Sequence, residues 1–434
     1  MIGLFGRWGT LAFGRFFGVV VLTLAMGTLL HLPGLATAAE PATARLVAVH
    51  EARFPSDIVF RLNVESDHPI ADAALYYRVG DEKSTVYARV AVPRARHTTA
   101  FYRLDLQKNY LPPGSELQYH WVVDDELGNR TRGDPSKLTV NDERFHWNRA
   151  SSGLVSVFWY QGDASFGRAA IDAATQALSR LAVDTGIHLA RPVNILVYAN
   201  PSDFMGATSS RVHDWAGGVA FPEQRVIILL APPTAAGLDS ARRAIAHELS
   251  HVLTHQATDN PYGDIPRWLD EGLATLAEGE LHPSFVATLE RAIQSDSLIS
   301  VRSLGSVFPT DPEQASLSYA QSYSVVRHII DRHGQAKITR LLDAFREGAT
   351  YDEALQAAIG LDVDQLDDEW RVAVGGNSLT QASPGLEEST TETSRNILGR
   401  VSELVEAFRL WAINALTPAP DRQSTITPSP VTWI

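Results

Sequence analysis

The sequence predicts a multidomain chain, an all-β sandwich followed by an α+β domain. Three observations predict it. Short alternating segments separated by turn signals fill residues 45–140. From residue 150 the apolar runs lengthen into strands and then give way to helical periodicity. Past Gly375 large apolar residues thin out and Gly, Ser and Thr dominate. With 434 residues, 45% of them hydrophobic, the chain can form about two or three cores.

Composition excludes several functions. The formal net charge of -13 repels phosphate backbones, so nucleic acid is not an expected partner. There are no cysteines, which rules out disulfides and thiolate metal sites; any bound metal must use His and carboxylates.

Residues 1–39 form the first segment. Arg7 and Arg15 precede the uncharged "FFGVVVLTLAMGTLL" (16–30), and Pro33, Gly34 and "ATAAE" (36–40) follow. This reads as a secretory signal peptide, with Ala36 and Ala38 fitting the cleavage pattern; an N-terminal membrane anchor is the alternative. Either way the bulk of the chain is expected to be extracytoplasmic, secreted or anchored at the outer face of the cell membrane.

Residues 40–148 read as the β-sandwich. "DIVFRLNVES" (57–66) places Ile58, Phe60, Leu62 and Val64 on one face. "ADAALYYRVG" (71–80), "STVYARVAVP" (84–93), "TAFYRLDL" (99–106) and "ELQYHWVVDDELGN" (116–129) follow at short spacing. The stretch "LPPGSELQYHWVVDDELGN" resembles the final hairpin of an immunoglobulin-like or fibronectin-like module. No catalytic residue types cluster here, so a binding or spacer role and a plain packing role are both open.

Residues 150–375 form the second domain. "LVSVFWYQG" (154–162), "VNILVYAN" (193–200) and "RVIILLA" (225–231) read as strands. "RAAIDAATQALSRLAVDTG" (168–186) reads as a helix stopped by Gly186, with Ile171, Ala174, Leu178 and Leu181 on one face. Helices are expected near 239–257, 269–279, 284–295, 313–333, 335–346, 351–359 and 362–373. Residues 376–434 read as a flexible linker, an amphipathic helix at 396–416 and a disordered, Pro-rich tail. Charges at Arg400, Glu403, Glu406 and Arg409 prevent that helix from crossing a bilayer, so it is expected to lie on a membrane surface or to dock on protein.

The chemistry sits in "AIAHELSHVLTH" (244–255). On a helix His247 and His251 stand one turn apart on one face, so their imidazoles can converge on one ion, with Glu248 beside it. A catalytic metal needs a third protein ligand and an open position. His255 lies a little over two turns from His247 and points away from a shared centre. The extended H-E-x-x-H-x-x-G-x-x-H pattern fails, because Thr254 stands where Gly is needed and Ala257 where His is needed. The remaining source is a carboxylate on the next helix, and "IPRWLDEGLATLAEG" (265–279) supplies Glu271.

H-E-x-x-H followed after such a gap by W-L-x-E-G-x-A resembles the gluzincin metallopeptidases, which include thermolysin and aminopeptidase N, and in particular the peptidase MA-like group. The resemblance covers residues 155–375. It implies a zincin-like metallopeptidase domain that binds Zn2+ through His247, His251 and Glu271, with Glu248 activating the water and a peptide or protein as substrate. Asp270 stands where aminopeptidases have Asn. Thr275 stands where thermolysin-type enzymes have Asp. The G-x-M-E-N motif that binds a free amino terminus is missing, since the three methionines are Met1, Met26 and Met205; this points to an endopeptidase.

The resemblance also implies a tyrosine from a later helix as oxyanion donor. "SLSYAQSYSVVRHIIDRHG" (316–334) offers Tyr319 and Tyr323, one turn apart; Tyr319 is preferred because it starts the helix. His328 and His333 are rivals further along. "WAGGVAFPEQRVIILLA" (215–231) looks like the edge strand of the cleft and its approach loop, with Gly217 and Gly218 as close-approach or turn glycines. The rival reading is a cell-surface binding or assembly protein that uses the β module and an idle peptidase-like scaffold. Membrane association, through the N-terminal segment or helix 396–416, and oligomeric state are left open by the sequence.

Overall fold

The computed structural model describes residues 44–208, 217–261 and 263–378. The expected leader, the helix at 396–416 and the tail lie outside these residues. So does the approach loop through Trp215. Among the described residues no helix is long and apolar enough to cross a membrane.

The first part is a two-sheet β structure. Strands β1 (Arg45–Arg53), β2 (Asp57–Glu65) and β5 (His97–Asp105) form one antiparallel sheet, in the order β1-β2-β5. Strands β3 (Ile70–Val79), β4 (Val86–Val90), β6 (Glu116–Asp125) and β7 (Arg130–Arg132) form the other, ordered β4-β3-β6-β7, with β8 (Ser136–Thr139) also pairing β6. Alternation drives both: Ile58, Phe60, Leu62 and Val64 of β2 face Leu117, Tyr119, Trp121 and Val123 of β6 in one core, while Arg61, Asn63 and Gln118 face water. Phe60 and Tyr119 meet edge to face at 4.9 Å. Strand β1 falls in the span read as β, but no separate strand was delimited there. It is an edge strand with Val47 and Val49 exposed, so its apolar residues fall on both faces and no clean period of two appears.

The second part opens with β9 (Asn148–Ser152), β10 (Val155–Trp159), α1 (Ala164–Thr185), β11 (Val193–Tyr198), α2 (Pro201–Thr208), β12 (Gly218–Phe221), β13 (Val226–Leu230) and α3 (Ala235–Thr258). The sheet order is β12-β13-β11-β10-β9, with β10, β11 and β13 parallel and the outer strands β9 and β12 antiparallel to their neighbours. Strands β11 and β13 are covered on both faces and therefore read as unbroken apolar runs. One face packs Ile195, Ile227 and Leu229 against Ala174 of α1 and Ile245, Leu249 and Val252 of α3. The other packs Leu196, Tyr198 and Ile228 on Phe204 of α2 and on Phe145 and Trp147 of the connecting segment. Gly186 ends α1 in the left-handed conformation, as the sequence predicts.

A helical layer follows: α4 (Arg267–Ala277), α5 (Pro283–Gln294), a 3-10 turn (Ser303–Gly305), α6 (Pro312–His333), α7 (Ala336–Arg346), α8 (Tyr351–Ile359) and α9 (Val363–Ala373), around a core that includes Trp268, Val326, Ile329 and Trp370.

The β module grips the β12–β13 hairpin. Asp81 donates its backbone N–H to Glu223 O at 2.7 Å, and the hairpin's Arg225 lies 3.2 Å from both Asp81 and Glu116. A side chain at Gly80 would meet Glu223 O at 2.2 Å, so only glycine permits this approach. Lys83 pairs with Asp259, just past α3, at 2.8 Å.

Candidate metal centre and active site

Helix α3 starts at Thr234, whose hydroxyl accepts the Gly237 N–H, and runs through the H-E-x-x-H stretch without a breaker. Its apolar residues Ile245, Leu249 and Val252 lie against the sheet, which turns His247 and His251 towards α4. Their ring centroids are 4.9 Å apart. Helix α4 is anchored by Trp268, Leu269 and Leu273. Gly272 lets α6 close on it: a Cβ there would stand 2.5 Å from Ser322 O.

Glu271 is 1% exposed. Its Oε1 is held 2.6 Å from Arg267 Nη2, one turn earlier on α4. Its Oε2 makes no hydrogen bond, yet lies 3.4 Å from His247 Nε2 and 3.6 Å from His251 Nε2. A buried carboxylate oxygen with no partner is costly unless something else satisfies it. Two ligands on a tetrahedral ion, each bonded at ~2.0–2.2 Å, stand roughly 3.3–3.6 Å apart. The orphaned oxygen and the two nitrogens match that spacing, so this donor set of two imidazoles and one carboxylate fits zinc or a similar borderline ion. Burial would raise the Glu271 pKa, but the two imidazoles and Arg267 outweigh it and pull it down to about 2, keeping the carboxylate ionised.

A carboxylate stands on the far side of each imidazole, hydrogen-bonded in the case of His247 and close but without a formed hydrogen bond in the case of His251. His247 Nδ1 hydrogen-bonds Glu278 Oε1 at 2.9 Å, and His251 Nδ1 lies 3.0 Å from Asp270 Oδ1. Such carboxylates fix the ring tautomer and leave Nε2 free to ligate. Sequence reasoning missed Glu278. Its signal was present, since 278 − 271 = 7 places it two turns beyond Glu271 on the same helical face. His255 is left outside the cluster, close to Asp259.

Glu248 is buried beside the two histidines. Burial pushes its pKa up, while the histidine charges and the Ala220 backbone N–H, which donates to it, pull the other way; the net direction is upward. Strand β12 runs directly over it. A Cβ at Gly218 would stand 3.0 Å from Glu248 Oε1 and 2.7 Å from Leu229 Cδ2, so Gly218 is a close-approach glycine within a strand. Gly217 has no such neighbour.

Tyr319 reaches the same place from α6. Its ring is 6.5 Å from that of His247 and packs between Phe285, stacked at 6.3 Å, and Phe308, edge-on at 5.3 Å. Arg267 donates to its hydroxyl oxygen, which leaves the Tyr319 proton available to another acceptor. Burial, with the negative charge of Glu271, pushes the phenol pKa up, so Tyr319 stays a donor. Tyr323, one turn on, sits by Arg327 and takes no part in that packing. His328 and His333 stand near the other end of α6, against Glu369.

Residues 173–376 match the sequence model of the Peptidase MA superfamily. This segment is a Peptidase MA superfamily domain. The match begins within α1, so β9 and β10 of the domain's sheet precede it, and it ends at Gly376, just past α9. Among solved structures, the chain is similar to an aminopeptidase N family protein from Idiomarina loihiensis, at 10% identity over 81% of this chain and 73% of that one, with a TM-score of 0.34. A polysaccharide deacetylase from Bacillus cereus is similar at 10% identity over 47% and 78%, TM-score 0.20. A family 56 carbohydrate-binding module, a β-1,3-glucan binding domain, is similar at 9% identity over 22% and 98%, TM-score 0.16. No match was found among curated proteins.

Proposed function

We propose that this protein is an exported zinc metallopeptidase that cleaves within peptide chains. The observation that carries the reading is the unpartnered Glu271 Oε2 facing the Nε2 atoms of His247 and His251, with Glu248 alongside. His247, His251 and Glu271 hold the ion. A bound zinc supplies a Lewis acid that acidifies water and polarises a carbonyl.

The chain's own groups do the rest. Glu248 takes the proton from the attacking water and later delivers it to the leaving amine; its raised pKa brings the two states closer together near neutral pH. The Ala220 N–H and the surface over Gly218 hold the Glu248 carboxylate in one position. Tyr319 donates its proton to the carbonyl oxygen as that oxygen gains charge. Strand β12 pairs only with β13 among the described residues, so its outer edge can align an extended peptide by strand addition. Export rests on the pattern of residues 1–39. The endopeptidase type rests on the missing G-x-M-E-N motif.

The test is zinc content together with hydrolysis of a casein-type substrate, with and without chelator. Zinc-bearing protein whose proteolysis is lost on chelation and restored by zinc supports the reading. Zinc-free, inert protein would overturn it in favour of the binding-scaffold alternative.

A further inference from the structure

A second cluster of the same donor types lies elsewhere in the helical layer. Near its C-terminal end α6 carries His328 and His333, and α9 brings Glu369 against both. Glu369 Oε1 is 2.9 Å from His328 Nε2 and 2.9 Å from His333 Nε2, and the imidazole centroids are 6.2 Å apart. His328 lies nine residues beyond Tyr319 on α6, or roughly 14 Å at a rise of ~1.5 Å per residue, so this is not an extension of the first centre.

The convergence is not what helix geometry supplies by default. Positions five apart on a helix are turned by roughly 140° and do not face each other. Here His333 ends α6 just before Gly334, and the two rings still point a nitrogen at one carboxylate oxygen. The histidine side chains are 11% and 16% exposed and Glu369 is 31% exposed, so the cluster is withdrawn from water but open on the carboxylate side. The two helices are packed together beside it: Val325 and Ile329 of α6 and Trp370 of α9 are fully buried in one core, and Trp370 Nε1 donates to Ser324 Oγ at 3.0 Å, tying α9 to α6.

We propose that His328, His333 and Glu369 form a second binding site for a zinc-class divalent ion, one that clamps the end of α6 to α9. Two imidazole nitrogens and one carboxylate oxygen select a borderline transition ion over calcium or magnesium, which prefer all-oxygen sites. Three protein ligands leave a position for water. The 2.9 Å contacts are now hydrogen bonds, so when the ion replaces the Nε2 protons that bridge to Glu369 the ligand atoms must spread to the roughly 3.3–3.6 Å of a shared tetrahedral ion, and binding releases protons or selects the Nδ1–H tautomer. The proposal does not depend on the first centre being catalytic.

The experiment is a zinc titration of untagged, chelator-stripped full-length protein, followed by metal content after dialysis. Wild type should bind two equivalents. His328→Ala and the near-isosteric Glu369→Gln should each bind one and keep proteolytic activity. His247→Ala should also bind one, and in that background zinc should still raise the unfolding midpoint by a few degrees. That rise should vanish when His328→Ala is added. A wild-type stoichiometry of one that His328→Ala leaves at one would overturn the proposal, leaving a metal-free hydrogen-bonded trio. So would two equivalents retained by both His328→Ala and Glu369→Gln.

Discussion

Glu278 holds His247 from behind: its Oε1 lies 2.9 Å from His247 Nδ1, on the side of the ring opposite Glu271. The pairing orients Nε2 towards the centre and makes it a better donor. Glu278→Gln should therefore weaken zinc binding at this centre by roughly 10–100-fold. Competition with a chelating indicator measures it, and an unchanged affinity would show that the pairing does not tune the ligand.

Gly218 sets how closely the edge strand approaches the buried glutamate. A methyl group there would press on Leu229 Cδ2 at 2.7 Å and on Glu248 Oε1 at 3.0 Å. Gly218→Ala should push β12 outward and lower kcat/KM by roughly 10–10²-fold with zinc retained, since small displacements of reacting groups carry costs of that order. Full activity in this variant would remove β12 from the working cleft.

Tyr319 and Tyr323 separate cleanly. Only Tyr319 joins the packing of Phe285 and Phe308 beside His247. Tyr319→Phe should lower kcat by roughly 10–10³-fold with zinc and fold intact, and Tyr323→Phe should leave it unchanged. The opposite pattern in steady-state kinetics would move the donor one turn along α6.

Asp57 gives the β module an acid-sensitive anchor. It is 1% exposed, and burial alone would raise its pKa; hydrogen bonds from Arg53, at 2.8 and 3.0 Å, and from Arg103 outweigh that and hold it below the usual carboxylate range. A depressed folded pKa means the stabilisation is present above the unfolded value, near ~4, and is lost as pH falls through the folded one. Asp57→Asn should lower the unfolding midpoint at neutral pH and flatten its fall below about pH 4. Equal acid sensitivity in variant and wild type, followed by thermal melts, would contradict this.

The centre was legible where one helix carries it. His247, Glu248 and His251 are fixed relative to one another by helical pitch, and Glu271 follows on the next helix with the apolar anchors Trp268 and Leu269 that orient it. What escaped depends on long-range packing. Strand β1 was not delimited within the span read as β and helix α2 was not expected, because one has apolar residues on both faces and the other is a single short segment against the back of the sheet. His328 and His333 were weighed only as oxyanion donors, since nothing local announces that α9 returns Glu369 to them. The grip of Asp81 on the β12–β13 hairpin joins segments far apart in sequence, and no periodicity encodes it.

The most direct test of the peptidase reading is Glu248→Gln. The amide nearly matches the carboxylate in shape but cannot take a proton, and removing a general base costs typically 10²–10⁴-fold. Zinc at the His247–His251–Glu271 centre should be retained in full, measured as metal resistant to dialysis, while proteolysis falls by at least that factor. Near-wild-type proteolysis with zinc in place would contradict the account.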